Sequence, residues 1–524
     1  MRKVLLFIVI ITAMGGVSCK KYLNINNNPN STTNANPSLV LPLAIVNTAS
    51  LVSNLNDYGG VTCGYTANAG GYGGFGSTWT YDYQPSQGEG FWDFGYQILE
   101  NYQYIINATE GSDANANYNG AAKIMKAFVF QMLVDEFNDI PFSEALQGGA
   151  NFRPKYDSAS AIYPALASLI DSGIAAISNA QQPNVLSTAA DPLFGGNMTS
   201  WKQFGNSLKL RLIIRASTTA QFANKTFSSD GFLTSDAVVN PGYKLATATS
   251  GTQVSPSWNA WATNSAGSRV GQFYIPAYFV YGYYDGTKLT DPGRGAAIYY
   301  GFPNDSVNQL GVTPPANTKT SPVPAGAWYS GSTTATTPGN AIGVLKGPDM
   351  GEPLMLLAES DFLQAEADIR GILTGNASTD FYNGIAASFN YLYELPNLAL
   401  APGKDPNADA AAYEAANSGS YLVNFSKATT PAQQTEAIIT QKYIALNYIH
   451  GQEAWSEYRR TGYPVSSPTV LNNPYGSMAS TQSQATRPDH LPTRLPYPST
   501  EAATNATNVP QNISFYTSTI FWAH

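Results

Sequence analysis

Apolar positions recur at helical spacing in several stretches of the chain. In Ala121–Phe137 the residues Ile124, Met125, Phe128, Val129, Met132 and Leu133 form one stripe, with Lys123, Lys126 and Glu136 off it. Asn138-Asp139-Ile140-Pro141 ends that helix, because Pro141 cannot continue it. In Asp157–Ile177 the stripe is Ile162, Leu166, Leu169, Ile170, Ile174 and Ile177. The same reading predicts helices at Gly90–Asn107, Ser200–Ser217, Glu352–Gly371, Thr379–Tyr393 and Pro431–Tyr448. Several are neighbours across short connections, which predicts antiparallel helix pairs stacked into a helical-repeat array. The fold class expected is mainly α. No sequence period is visible, so the array is inferred from helix pairing and not from self-similarity.

Two regions break the pattern. Residues 57–89 and 244–350 are rich in Gly, Ser, Thr, Asn, Pro and aromatics and lack sustained helical periodicity; Gly64–Gly76 alone holds six glycines. Long loop-rich insertions in a compact domain are usually functional. These two hold four of the eight tryptophans: Trp79, Trp258, Trp261 and Trp328. Flat apolar rings beside amide, carboxylate and guanidinium groups are the chemistry that binds a sugar's C–H face and its hydroxyls. The candidate ligand residues are therefore Trp79, Tyr81 and Tyr83, then Trp258, Trp261, Arg269 and Tyr274, then Trp328 and Tyr329, with Asn259 and Asn264 as further hydroxyl partners. Read as extended chain, Thr78–Tyr83 places Trp79, Tyr81 and Tyr83 on one side. By contrast Trp92, Trp201 and Trp455 lie on helical stripes and are expected in the core. Arg211, Arg215, Arg459 and Arg460 are expected in ion pairs or on carbonyls.

The first residues read as an address. Met1-Arg2-Lys3 is basic, Val4–Thr12 is nearly all apolar, and Ala13–Ser18 is mostly small, the pattern of a secretory signal peptide over residues 1–18. The apolar run is shorter than the ~20 residues a spanning helix needs. Cys19 after Gly16-Val17-Ser18 looks like the acylated cysteine of a bacterial lipobox, although Gly16 stands where Leu is usual. Residues 19–56 then read as a lipidated, Asn-rich tether running into the fold, and 57–524 as one domain with its scaffold at about 90–217 and 352–460. No transmembrane segment is expected after the signal.

Composition removes several functions. The 524 residues carry 27 Lys+Arg against 35 Asp+Glu, a net charge of −8, which gives no footprint for nucleic acid. Two Cys and three His make no structural zinc set, and no cofactor is implied. Cys63 reads as a small buried hydrophobe. Gly71–Gly76 spells G-x-G-x-x-G but follows no apolar strand and opens no helix. Asp113–Asn117 starts like a calcium loop, yet Tyr118 stands where glycine is required. Glu352, Glu359, Asp361 and Glu366 are the carboxylates a glycoside hydrolase would draw on, but they share a core-like helix stretch, where ion pairing is the expected role.

Five stretches carry a family resemblance. They are Cys19–Asn26 with Asn28-Pro29-Asn30; Lys123–Phe128 running on to Asp135–Ala145; Trp201–Phe204 with Asn206–Arg211; Glu352–Glu359 with Ala365-Glu366-Ala367; and Glu453–Pro464 with Arg494–Pro498. In this order they resemble the SusD/RagB family of Bacteroidetes outer-membrane nutrient-binding lipoproteins, specifically its SusD-like branch. The resemblance implies four tetratricopeptide-like helix pairs in an α-α superhelix, with a variable loop-rich ligand side. It implies no catalysis and an oligosaccharide ligand. It also implies a SusC-like TonB-dependent β-barrel transporter as partner, and an outer-membrane position facing the cell exterior, held by lipid on Cys19. The alternatives are a peptide-binding lipoprotein of the same uptake system and a surface glycoside hydrolase.

Overall fold

The computed structural model describes residues 35–69, 76–245, 253–262, 274–313 and 341–524. The signal peptide, Cys19, Asn264, Arg269, Trp328 and Tyr329 lie outside them. The longer helices are α1 (Pro37–Thr62), α2 (Glu89–Thr109), α3 (Ala116–Phe137), α4 (Ala159–Asn179) and α5 (Met198–Ala216), then α6 (Leu357–Ile369), α7 (Ala377–Tyr393), α8 (Pro406–Ala416), α9 (Pro431–Ala445) and α10 (Gly451–Thr461). The fold is mainly α, as expected. Consecutive helices pack as the pairs α2/α3, α4/α5, α6/α7 and α9/α10, and the pairs join through α3 on α4, α5 on α6 and α6 on α9. Three two-stranded antiparallel ladders complete the described part: β1 (Thr66–Asn68) with β5 (Tyr274–Pro276), β2 (Ile140–Pro141) with β3 (Tyr156–Asp157), and β4 (Ala237–Val239) with β6 (Glu352–Met355).

Three sequence expectations need correction. The tether assigned to residues 19–56 gives way at Pro37 to α1. The Asn36 side chain caps this helix by accepting from the Ser38 N–H at 3.0 Å. Pro37 sits at its first turn, where a missing N–H costs nothing. Helix α1 is long and apolar enough to cross a bilayer, yet Leu41, Ala44, Ile45, Leu51 and Leu55 are buried against protein. It crosses α10 so closely that a Cβ on Gly59 would lie 2.0 Å from the Gln452 backbone nitrogen. Second, Glu352–Gly371 is not one helix. Pro353 keeps Glu352 extended and withholds a helical donor, so a strand comes first and α6 starts at Leu357. Third, α3 is not amphipathic: all its residues but Lys126 are buried, because α1, α2, α4 and α5 surround it.

Burying α3 on all sides also buries Asp135 and Glu136, and the scaffold answers with a charge network. Arg215 of α5 reaches Asp135 at 2.5 Å and Glu457 at 3.2 Å, and also pairs with Glu453. Lys442 of α9 lies 3.1 Å from both Glu453 and Glu457. Arg211 meets Glu359 at 2.7 Å, Arg459 meets Glu136 at 3.0 Å, and Arg460 meets Glu366 at 2.6 Å. The four arginines thus hold the ion pairs expected of them. Burial pushes the Glu453 carboxyl up, but Arg211, Arg215 and Lys442 outweigh it and bring it to about 2. Trp92, Trp201 and Trp455 are buried, as expected, and so is Cys63, whose thiol is pushed up by burial.

Candidate functional site

The run Thr78–Tyr83 is not extended. Ser77–Thr80 makes one helical turn, and Tyr81 then takes a left-handed backbone (φ 57°) that swings the following residues inward. Trp79, Tyr81 and Tyr83 therefore form no exposed platform: Tyr81 and Tyr83 pack edge-on at 6.4 Å inside the core. Tyr81 is fully buried; its hydroxyl accepts from the Ser480 N–H at 3.2 Å and its carbonyl accepts from the Tyr516 hydroxyl at 2.8 Å. Tyr83 packs in the core against Tyr58 and Phe515. Both correct the platform expectation, since each ring gains more from burial with a satisfied backbone than from facing water.

Trp79 stays half-buried, and its partner comes from the other loop region. The β1–β5 ladder sets Asn68 opposite Tyr274, which brings the half-buried Tyr274 ring edge-on to Trp79 at 6.1 Å. Behind Tyr274 lies Trp261 at 5.0 Å, and behind that Tyr448 at 4.5 Å. Trp258 is 0% exposed and Trp261 4%. The turn Pro256–Trp261 lies against α1, so these two indoles back the cluster from inside instead of presenting a face to solvent, which corrects the expectation of direct ligand contact. Three candidates from separate loop regions (Trp79, Trp261 and Tyr274) are thus one continuous cluster, two rings at its surface and one behind.

Polar groups frame it. Asn68 accepts from the Gly311 N–H at 2.9 Å and donates to the Val312 carbonyl at 2.8 Å, while Asn308 donates to the Asn68 carbonyl at 2.9 Å. These bonds fix the 308–312 turn beside the ladder. Asn259 is exposed on the Pro256–Trp261 turn. The Tyr274 hydroxyl faces the carboxylate of Asp57 on α1, whose Oδ1 is sealed from solvent with no hydrogen-bond partner. Burial pushes the Asp57 carboxyl up to about 6 against the lowering effect of that hydroxyl. Sequence reading missed Asp57, the first residue of the 57–89 insertion, because the candidates there were chosen for their aromatic rings. The available signal was a carboxylate alone in a long apolar run.

The carboxylates considered for hydrolysis are held otherwise. Glu352 accepts from the Ser257 N–H at 3.1 Å and its hydroxyl at 2.9 Å, and burial raises it to about 8. Glu359 and Glu366 sit in the arginine network, and burial followed by Asp380 raises Asp361 to about 8. Among the described residues no group of three or more His, Cys, Asp or Glu is placed to hold a metal.

Residues 29–498 match the SusD-like family model described as "Starch-binding associating with outer membrane". Among solved structures, a chitin-binding SusD homologue from Flavobacterium johnsoniae superposes with a TM-score of 0.66 at 20% identity, covering 92% of this chain and 98% of the other. A SusD homologue from Bacteroides uniformis gives 0.64 at 22% identity, covering 93% and 99%. A SusD/RagB family protein from Bacteroides thetaiotaomicron gives 0.66 at 19%, covering 93% and 99%. No curated protein matches the chain.

Proposed function

This chain belongs to the SusD-like family described as starch-binding and associating with the outer membrane, and from that premise we propose that it is a non-catalytic glycan-binding protein of the outer membrane, with Trp79 and Tyr274 as its sugar-stacking rings. One observation carries the reading: two half-buried rings from separate loop regions meet edge-on over a buried aromatic floor, with a carboxylate beside one of them. An aromatic wall with a few placed polar groups is what a binding site for a sugar's mixed apolar and hydroxylated faces needs. The test is affinity electrophoresis and calorimetry against starch, maltoheptaose and chitohexaose, with a peptide digest alongside. Saturable glycan binding supports the reading; binding to peptide and to no glycan overturns it.

Two further parts of the proposal draw on the family resemblance. The bound oligosaccharide passes to a SusC-like TonB-dependent β-barrel, so a large barrel is expected to co-purify after gentle detergent extraction. The chain is held at the outer membrane, facing the exterior, by lipid on Cys19. Cys19→Ser should shift it from the membrane to the soluble fraction, and an unchanged distribution would remove the anchor.

A further inference from the structure

Helix α1, β1, β5 and the turns Ser77–Thr80 and Pro256–Trp261 converge on the aromatic cluster, and Asp57 is the single charged residue in all five. Among the described residues no cation stands against it. The carboxylates of the scaffold network differ: Glu136 and Glu359 also carry an unbonded oxygen, but each faces an arginine within 3.0 Å. A buried carboxylate with neither counter-ion nor full hydrogen bonding is costly, and such groups concentrate at functional sites. We propose that the unpartnered Oδ1 of Asp57 is the acceptor for a donor group of the glycan, a hydroxyl or acylamino N–H lying beside the ring-stacked face, and that Tyr274 positions the carboxylate to receive it.

The proposal rests on the aromatic-site reading and deepens it: Trp79 and Tyr274 supply contact area, and Asp57 supplies discrimination. A site built to accept a hydrogen bond rejects an analogue lacking the donor, because its own buried group is then left unpaired. Oδ1 is sealed while the residue as a whole is only partly covered, so a side-chain turn at Asp57 or Trp79 accompanies binding. The titratable group facing Asp57 is the Tyr274 hydroxyl on β5, itself pushed up by burial and then by Asp57. The carboxyl stands at about 6, raised by burial. A donor prefers the ionised form, so affinity rises as pH climbs through that value.

The experiment is calorimetry with chitohexaose and maltoheptaose on the parent chain, Trp79→Ala, Asp57→Asn and Tyr274→Phe from pH 5 to 7.5, with circular dichroism to confirm folding. For the parent, affinity for whichever probe binds should rise roughly tenfold between pH 5 and 7. Asp57→Asn should lose about tenfold or more at pH 7 and show a flat profile. Tyr274→Phe keeps the ring and should lose less, with its pH midpoint moved upward, and it carries the test if Asp57→Asn fails to fold. Parent-like affinity and slope in Asp57→Asn, beside a weakened Trp79→Ala, overturns the Asp57 role and leaves the aromatic site standing. Parent-like binding in Trp79→Ala as well, or no binding of either probe by the parent, overturns both.

Discussion

Two buried carboxylates, Glu453 in the helical-repeat scaffold and Asp57 in the aromatic cluster, are treated in opposite ways. In the scaffold Glu453 is surrounded by Arg211, Arg215 and Lys442 and is brought down to about 2. In the cluster Asp57 faces a tyrosine hydroxyl and, among the described residues, no cation, and it rises to about 6. The first arrangement fixes helix positions across three elements, since Arg215 of α5 reaches α3 and α10 together. The second leaves hydrogen-bonding capacity unspent, which helps no fold and suits a ligand. A buried charge is informative about function when its neighbourhood fails to neutralise it.

The largest expected effect breaks the scaffold side of that contrast. Arg215→Ala leaves Asp135, Glu453 and Glu457 facing one another without their shared cation. Removing one partner from a buried pair costs about 3–5 kcal/mol. Urea unfolding should show a loss of that size, and a loss below about 1 kcal/mol would mean the network contributes little.

Most of the scaffold was legible because helix periodicity is local. The predicted Gly90–Asn107, Thr379–Tyr393 and Ser200–Ser217 each lie within two residues of the observed ends. The misses have different causes: for α1 and α3 burial is set from outside the segment, while Pro353 splits Glu352–Gly371 locally. Helix α1 carries apolar residues on most faces, so it shows no stripe, and its Asn-rich approach read as a tether. Tyr81 and Tyr83 point inward because of one left-handed residue, which nothing in the alternation Trp-Thr-Tyr-Asp-Tyr announces. For the candidate site, sequence supplied Trp79, Trp261 and Tyr274 as residue types in separate loops. Only the β1–β5 register shows them to be neighbours. Asp57 was illegible because its meaning lies in the absence of a cation from five separate elements.

On the aromatic side the next largest effect is Trp79→Ala. Loss of one stacking ring is worth about 1–3 kcal/mol of binding in base-stacking sites, and a similar loss is expected here. Its stability should change little, since the ring is half-buried and touches Tyr274 at its edge. A variant that unfolds more easily while binding glycan as the parent does would move Trp79 into the scaffold class. Asn36→Ala is smaller again and sharpens the assignment of α1. The lost cap should cost about 1 kcal/mol of global stability if α1 is part of the cooperative core, and nothing measurable if it is an independent lead-in.

The smallest expected effect has the opposite sign. Asp57 has a folded-state value of about 6, above its ordinary value of 3.8, so its contribution is favourable in full only below about 3.8 and is lost as pH rises through 6. At pH 7.5 the ionised carboxylate is a burden that Asn would not impose, while the Asn carbonyl can still accept the Tyr274 hydroxyl. Asp57→Asn is therefore expected to match or exceed the parent's stability by up to about 1 kcal/mol at pH 7.5, with the gain gone by pH 4. Thermal melts at the two pH values measure it. A scaffold carboxylate such as Glu453 should behave in the reverse manner, its amide variant losing stability at pH 7.5, because there the charge is what three cations are arranged around. If Asp57→Asn instead destabilises the chain as Glu453→Gln does, then Asp57 has a structural partner after all, and the distinction between neutralised and unneutralised carboxylates fails as a guide to the site.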